Sequence, residues 1–439
     1  MQLSATVRGI VVASAFVWLA VTAFLLLCFP AMGATILIPT DQPTIQAGIS
    51  AASEGDTVLV MPGTYSGPGN KDIDFGGVCV TLRGIAGAES TIVDCMHSGR
   101  GFDFNSGEGP DALLVGFTIT NGTGENKGGG ISCSGGSSPT IVDMVLLANE
   151  AQYGGGIYCS DSSPILRDVD FINNASSWGG GIQCDNSSPL LEDCTFVENS
   201  AEALQAGAMG CRYESCPTLV RVEFRRNYAG TGGAVVLQNS HPSFTDVVFS
   251  ENTASSYGGC IRSWFSSPTF QRAAFTRNGS GDAGGVLFVD GGSCTLISST
   301  LFANSGSWAG GIACIGENTS LVVESSIICG CPRGKGIACP EGMSVSLSCC
   351  DIYGNEGGDW TSCISEQAEL YGNMSVDPLF CDAWGGELML CEDSPCLPEN
   401  HPAGDDTCSL VGAWGAGCPP CGPSSASMTS WGAIKAFYR

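Results

Sequence analysis

Residues 153–184 read YGGGIYCSDSSPILRDVDFINNASSWGGGIQC, one complete repeat and the start of the next. The residue that follows the glycines recurs at Ile131, Ile157, Ile182, Met209, Val235, Ile261, Val286, Ile312 and Ile337, so the steps, by subtraction, are 26, 25, 27, 26, 26, 25, 26 and 25. A proline recurs at Pro139, Pro164, Pro189, Pro217, Pro242 and Pro268. Ten residues beyond each lies an asparagine: Asn149, Asn174, Asn199, Asn227, Asn252 and Asn278, with Asn304 continuing the series. Everything from about Gly116 to Asn355 varies this one unit, the mark of a stacked array.

Within a unit the second residue after the proline is apolar, and the seventh is nearly always aromatic: Leu146, Phe171, Phe196, Phe224, Phe249, Phe275. The fifth and seventh alternate with mixed neighbours, as in a half-buried strand. The residue after the glycines and the one two further on, as in Ile157 and Cys159, form another short strand. Each unit thus holds three short strands, no helix, and turns rich in Gly, Ser, Pro and Asn. Such a unit buries its apolar side only by stacking, with equivalent residues about 4.8 Å apart. The expected fold is all-β, a single-stranded parallel β-helix. Its interior is predicted to hold a Phe column, an Ile/Val column, a column of Cys133, Cys159, Cys184 and Cys211, and an asparagine ladder at one corner.

The GGGI and F-x-x-N signatures, such as Phe171 to Asn174 and Phe196 to Asn199, resemble the repeats of polymorphic outer-membrane proteins. The whole chain resembles bacterial right-handed parallel β-helix proteins of the pectin-lyase-like superfamily. That resemblance implies a right-handed coil that is secreted or surface-exposed, with functions from adhesion to polysaccharide cleavage. The C-terminal membrane barrel of the polymorphic proteins has no counterpart in the sequence. The stretches Thr44-Ile-Gln-Ala-Gly-Ile-Ser-Ala-Ala52 and Gly55-Asp-Thr-Val-Leu-Val-Met-Pro-Gly-Thr-Tyr65 resemble the family's opening, a capping helix followed by a strand.

The organisation expected is a signal peptide at 1–33, an N-terminal cap and first rungs at 34–127, regular repeats at 128–355, a Cys-rich closing rung and cap at 356–422, and a linker and tail at 423–439. Gly9 to Phe29 carry no charge and precede the small residues Ala31-Met32-Gly33, which reads as an export signal. A retained membrane anchor is the alternative, as the run is long enough to span a bilayer. Twenty-four cysteines fit an oxidising compartment, and twelve of them fall between Cys329 and Cys421, where disulfides are expected. The in-register rung cysteines are expected to stay as thiols, since parallel side chains point the wrong way for bridging. Zinc at Cys329/Cys331 or Cys418/Cys421 is disfavoured against disulfides. The tail from Trp431 to Arg439 is a frayed end or a sorting tag.

With 17 Lys plus Arg against 43 Asp plus Glu, a formal charge of −26 argues against nucleic acid and anionic membranes as partners. His97, His241 and His401 pair with no Ser or Cys in a nucleophile motif, no G-H-G occurs, and Asp405-Asp406 stands alone. Pectate-lyase-like chemistry would need Ca²⁺ and a basic residue, for which Arg221 and Arg272 are the only suggestions. Tyr153, Trp178, Tyr257 and Trp308 recur four residues before the aligned position. They are expected to wedge the glycine corner rather than to stack on sugars. Asp143, Asp168 and Asp193 occupy one position of three consecutive units. They are read first as turn residues facing solvent and second as a weak structural Ca²⁺ site. Two functions remain: a monomeric non-enzymatic scaffold, adhesive or binding cell-surface glycan or polysaccharide, and a polysaccharide lyase or hydrolase. Unlike polar residues converging from neighbouring rungs into one groove would favour the second.

Overall fold

The computed structural model describes residues 33–124, 126–404 and 408–421; the apolar N-terminal run, Asp405-Asp406 and the tail from Trp431 lie outside them. From Thr35 to Tyr353 the chain coils as a parallel β-helix in which 38 strands form one continuous hydrogen-bonded system. Equivalent residues stack in register, as in Cys133 on Cys159, Cys159 on Cys184 and Cys184 on Cys211.

The turning points explain how a single chain coils without glycine at every corner. In the rung of Ile157 four residues are left-handed, Asp161, Asp168, Asn173 and Gly179, with φ of 52°, 51°, 53° and 65°. Asp and Asn tolerate this conformation because their short side chains bond locally. Two differences from the expected unit follow. A further strand stands directly after the asparagine, as at Ala175–Trp178 and Tyr228–Thr231, where small polar residues read as turn. Val286 is not the aligned residue: Leu287 pairs with Ile261 and Ile312, and Val286 takes the place of the third glycine. That position tolerates a side chain, being Ala234 and Cys260 in the two preceding rungs.

Phe171, Phe196, Phe224, Phe249 and Phe275 form one buried column, with successive ring centroids 4.3, 4.8, 4.6 and 5.0 Å apart and rings within 9° of parallel. Beside it runs the asparagine ladder. The Asn199 Nδ2 donates to the Phe171 carbonyl at 2.8 Å and to the Asn227 Oδ1 at 3.1 Å, and the Asn199 backbone N–H donates to the same oxygen at 3.0 Å. The pattern repeats from Asn149 to Asn304, so a column of fully buried amides has its hydrogen-bonding capacity met. Cys331 interrupts the ladder and Asn355 resumes it, accepting from the Cys331 N–H at 3.1 Å.

The helix Ile45–Ala51 covers the first turn, with Thr44 as its N-cap and Ile45 and Ile49 buried. Gly48 is required there, because a Cβ would lie 2.7 Å from the Ile38 side chain. At the other end the short 3₁₀ helix Ser362–Gln367 places Ile364 in the core. The following segment folds back along the flank of the last rungs: Phe302 meets Phe380 at 5.8 Å and Trp384 at 5.0 Å. Disulfides Cys339–Cys363, Cys349–Cys408, Cys381–Cys418 and Cys391–Cys421 hold this cap, whereas the rung cysteines remain thiols. Contact with Cys159 together with burial pushes the Cys133 thiol well above its usual pKa, so it packs as a small apolar group.

Asp351 is fully buried beneath the cap, where desolvation raises its pKa to about 8; the charges of Asp359 and Asp377 add to the rise, against the Val376 N–H and the Cys396 thiol. An unfolded chain releases this proton near pH 4, while the folded chain holds it to about pH 8. Stability from this site is therefore complete below about pH 4 and lost as pH rises toward 8, by a few kcal/mol. Urea unfolding at pH 5 and pH 8 is expected to show this loss, and Asp351→Asn to remove most of it. Equal slopes in the two proteins would contradict the assignment.

Candidate functional site

The repeat breaks its own rule at one rung. Pro189 and Pro217 are 28 residues apart, against 25 for Pro164 to Pro189 and for Pro217 to Pro242. Two extra residues lie between Asn199 and Met209, and one between Met209 and Pro217, so both insertions flank the strand Met209–Arg212. In a solenoid, per-repeat insertions map to loops on one face, often the one that binds.

Arg212 is the centre of that face. Its Nε and Nη2 donate to the Asp185 Oδ1 and Oδ2 of the preceding rung at 2.9 and 2.8 Å. Its guanidinium lies over the rings of Trp178, Tyr153 and Tyr213, at 4.8, 5.2 and 5.3 Å from their centroids. Asp185 also accepts from the Gln183 Nε2 at 2.8 Å and the Tyr158 hydroxyl at 3.0 Å. The Lys127 ammonium stands 4.6 Å over the Tyr158 ring. Gly210 makes this possible, since a Cβ there would sit 2.0 Å from the Gln183 Oε1. Beside the cluster opens a groove of about 640 Å³ bounded by Tyr158, Asp161, Asn186, Tyr213 and Asn239.

The electrostatics favour holding over proton transfer. Burial opposes the charge of Arg212, but the Asp185 fork outweighs it and leaves the guanidinium pKa above its ordinary value. Burial, with the Asp185 charge adding, keeps the Tyr158 phenol above its usual pKa. Each carboxylate oxygen of Asp185 already accepts two hydrogen bonds. Neither Arg212 nor Tyr158 is thereby poised as a general base near neutrality.

The residues singled out from sequence are placed differently. Tyr153 and Trp178 pair across adjacent rungs, half-buried; Tyr257 is exposed but lies 4.8 Å from the Phe288 ring, and Trp308 packs against the buried cluster of Ala283, Phe288 and Ala309, so packing holds at the later rungs while the earlier pair stands around Arg212. Asp143, Asp168 and Asp193 all sit at left-handed turn positions with φ of 53°, 51° and 54°. Asp193 is forked by Arg221 at 2.6 and 2.7 Å, which holds its carboxyl below the ordinary pKa. Asp143, by contrast, is raised by burial and then by the charge of Asp168. The three carboxylates do not come together as a set of ligands. Arg272 likewise forks Asp246, so neither Arg221 nor Arg272 is an unpaired cation. Among the described residues the one group of three metal-capable side chains within reach of each other is Cys381, Cys391 and Cys418, and disulfides take all three. Arg212 and Tyr213 were not anticipated. The 28-residue proline spacing was their signal in the sequence.

A family model agrees with the coil. Residues 72–220 match the family described as the right handed beta helix region. Among solved structures the chain is similar to a pectate lyase, at 12% identity and a TM-score of 0.40, covering 88% of this chain and 96% of that one. No curated protein matches it. Stacked register, buried ladders and the family match together make this chain a right-handed parallel β-helix protein.

Proposed function

We propose that this protein is an exported β-helix scaffold that binds glycan on the face centred on Arg212 and does not cleave it. The observation that carries this reading is the ring cluster of Tyr153, Trp178 and Tyr213 around a guanidinium already neutralised by Asp185. Flat aromatic surfaces beside amides and carboxylates suit a ligand with apolar faces and hydroxyl edges. Export is supported by the charge-free N-terminal run and by four disulfides in the cap.

Cleavage is the second reading, and one observation favours it: unlike polar groups from neighbouring rungs do converge here. The saturation of Asp185 and the retained proton of Arg212 weigh against it. A glycan array run beside a polysaccharide-cleavage screen on the mature protein separates the two. Retention of glycans without new reducing ends or unsaturated products is expected; product formation that Arg212→Ala abolishes would overturn the non-catalytic reading.

A further inference from the structure

Before each rung proline the chain turns at a left-handed residue, and along this corner the series is Asp161, Asn186, Tyr213, Asn239 and Phe265, with φ of 52°, 48°, 58°, 47° and 46°. Asp and Asn are the residues that accept such a conformation, whereas a bulky ring there is strained. Burial does not compensate, because Tyr213 is 59% and Phe265 54% exposed. The rings are nevertheless positioned. Tyr213 lies against the Arg212 guanidinium, and Glu214 after it is left-handed too, with φ of 62°. Phe265 lies on Gly291 of the next rung, where a Cβ would come within 2.6 Å of its ring, and 5.8 Å from the Trp264 ring.

We infer that this corner extends the glycan site and that its ligand is a polysaccharide of uncharged sugars laid parallel to the solenoid axis. The inference rests on the glycan-binding reading and gives it a direction and a substrate class. Tyr213 and Phe265 belong to rungs two apart, so their rings are spaced roughly 10 Å along the axis, with Asn239 between them. A polymer crossing the axis would meet one ring; a polymer along it meets both. The groove adds the charge argument. Asp161 and Glu214 are acidic, Asp185 and the nearest guanidinium offset each other, and the whole chain is at −26. A uronic-acid polymer would be repelled, whereas sugar hydroxyls find carboxylate and amide partners.

Affinity electrophoresis of the full chain and of Tyr213→Asn and Phe265→Asn, in gels holding hydroxyethylcellulose, galactomannan or polygalacturonate, tests this beside thermal melts. Each variant restores the residue type of Asn186 and Asn239, so each should melt at or above the unaltered protein while its retention by a neutral polymer weakens at least tenfold. Polygalacturonate should retard none of them. Retention unchanged in both variants, or polygalacturonate held more tightly than the neutral polymers, overturns the inference and leaves glycan binding standing. An unaltered protein retarded by no polymer, and silent on a glycan array, overturns both.

Discussion

Replacing Asn227 with alanine is expected to lower the unfolding free energy by about 4 kcal/mol, because the truncation strands buried groups in two neighbouring rungs at about 1–3 kcal/mol each. The Asn227 Oδ1 accepts from both the backbone N–H and the Nδ2 of Asn199, and its own Nδ2 donates to the Phe196 carbonyl and to the Asn252 Oδ1. Alanine removes all four bonds without admitting water, since the site is fully buried. Asn227→Asp sharpens the expectation. It keeps the shape but turns an acceptor toward the Phe196 carbonyl and the Asn252 Oδ1, so it should be at least as damaging as alanine. Urea unfolding of the two variants checks this, and a loss under about 1 kcal/mol for either would mean that the ladder is ornamental.

The second large effect is expected at Phe224. Its ring lies 4.8 Å from Phe196 and 4.6 Å from Phe249, in a column with no solvent contact, so Phe224→Ala opens a cavity that rungs fixed at strand spacing cannot collapse. The cost should be about 3–5 kcal/mol, with Phe224→Leu losing less because most of the volume is kept. Equal losses in the two variants would indicate that ring stacking, and not volume, holds the column.

The contrast between these columns and the binding face shows what a sequence can carry. Phe224 and Asn227 were legible because each is repeated in every rung at fixed distance from a proline, and stacking in register is the one arrangement that buries them all. Val286 misled because the third glycine position accepts a small or β-branched side chain, so the eye aligns the wrong apolar residue. The strand after the asparagine was hidden for a similar reason: Ala175-Ser-Ser-Trp178 is held by its neighbours' ladders and has no strand composition of its own. The Arg212 cluster was beyond reach in a different way. Asp185 and Arg212 are 27 residues apart, and they meet only because Asp185 pairs with Arg212 in register and both point outward. Two insertions flank the strand of Arg212 and leave its register intact, and one summed rung length does not show that they lie on either side of it. The cap has no repeat at all; its density of cysteines announced disulfides but not their partners, since cross-linking there follows a fold-back over Phe302 that no periodicity encodes.

Binding at the irregular rung is tested most directly by the isotherm of Trp178→Ala with a glycan that the unaltered protein retains on an array. Trp178 gives one face to the Arg212 guanidinium and lies on the outer wall, so its loss should weaken binding at least tenfold while leaving the rung ladders intact. Trp384→Ala, an exposed ring on the distant cap, should bind as the unaltered protein does. Equal affinity in the Trp178→Ala protein, or an equal loss in both variants, would contradict a glycan site centred on Arg212.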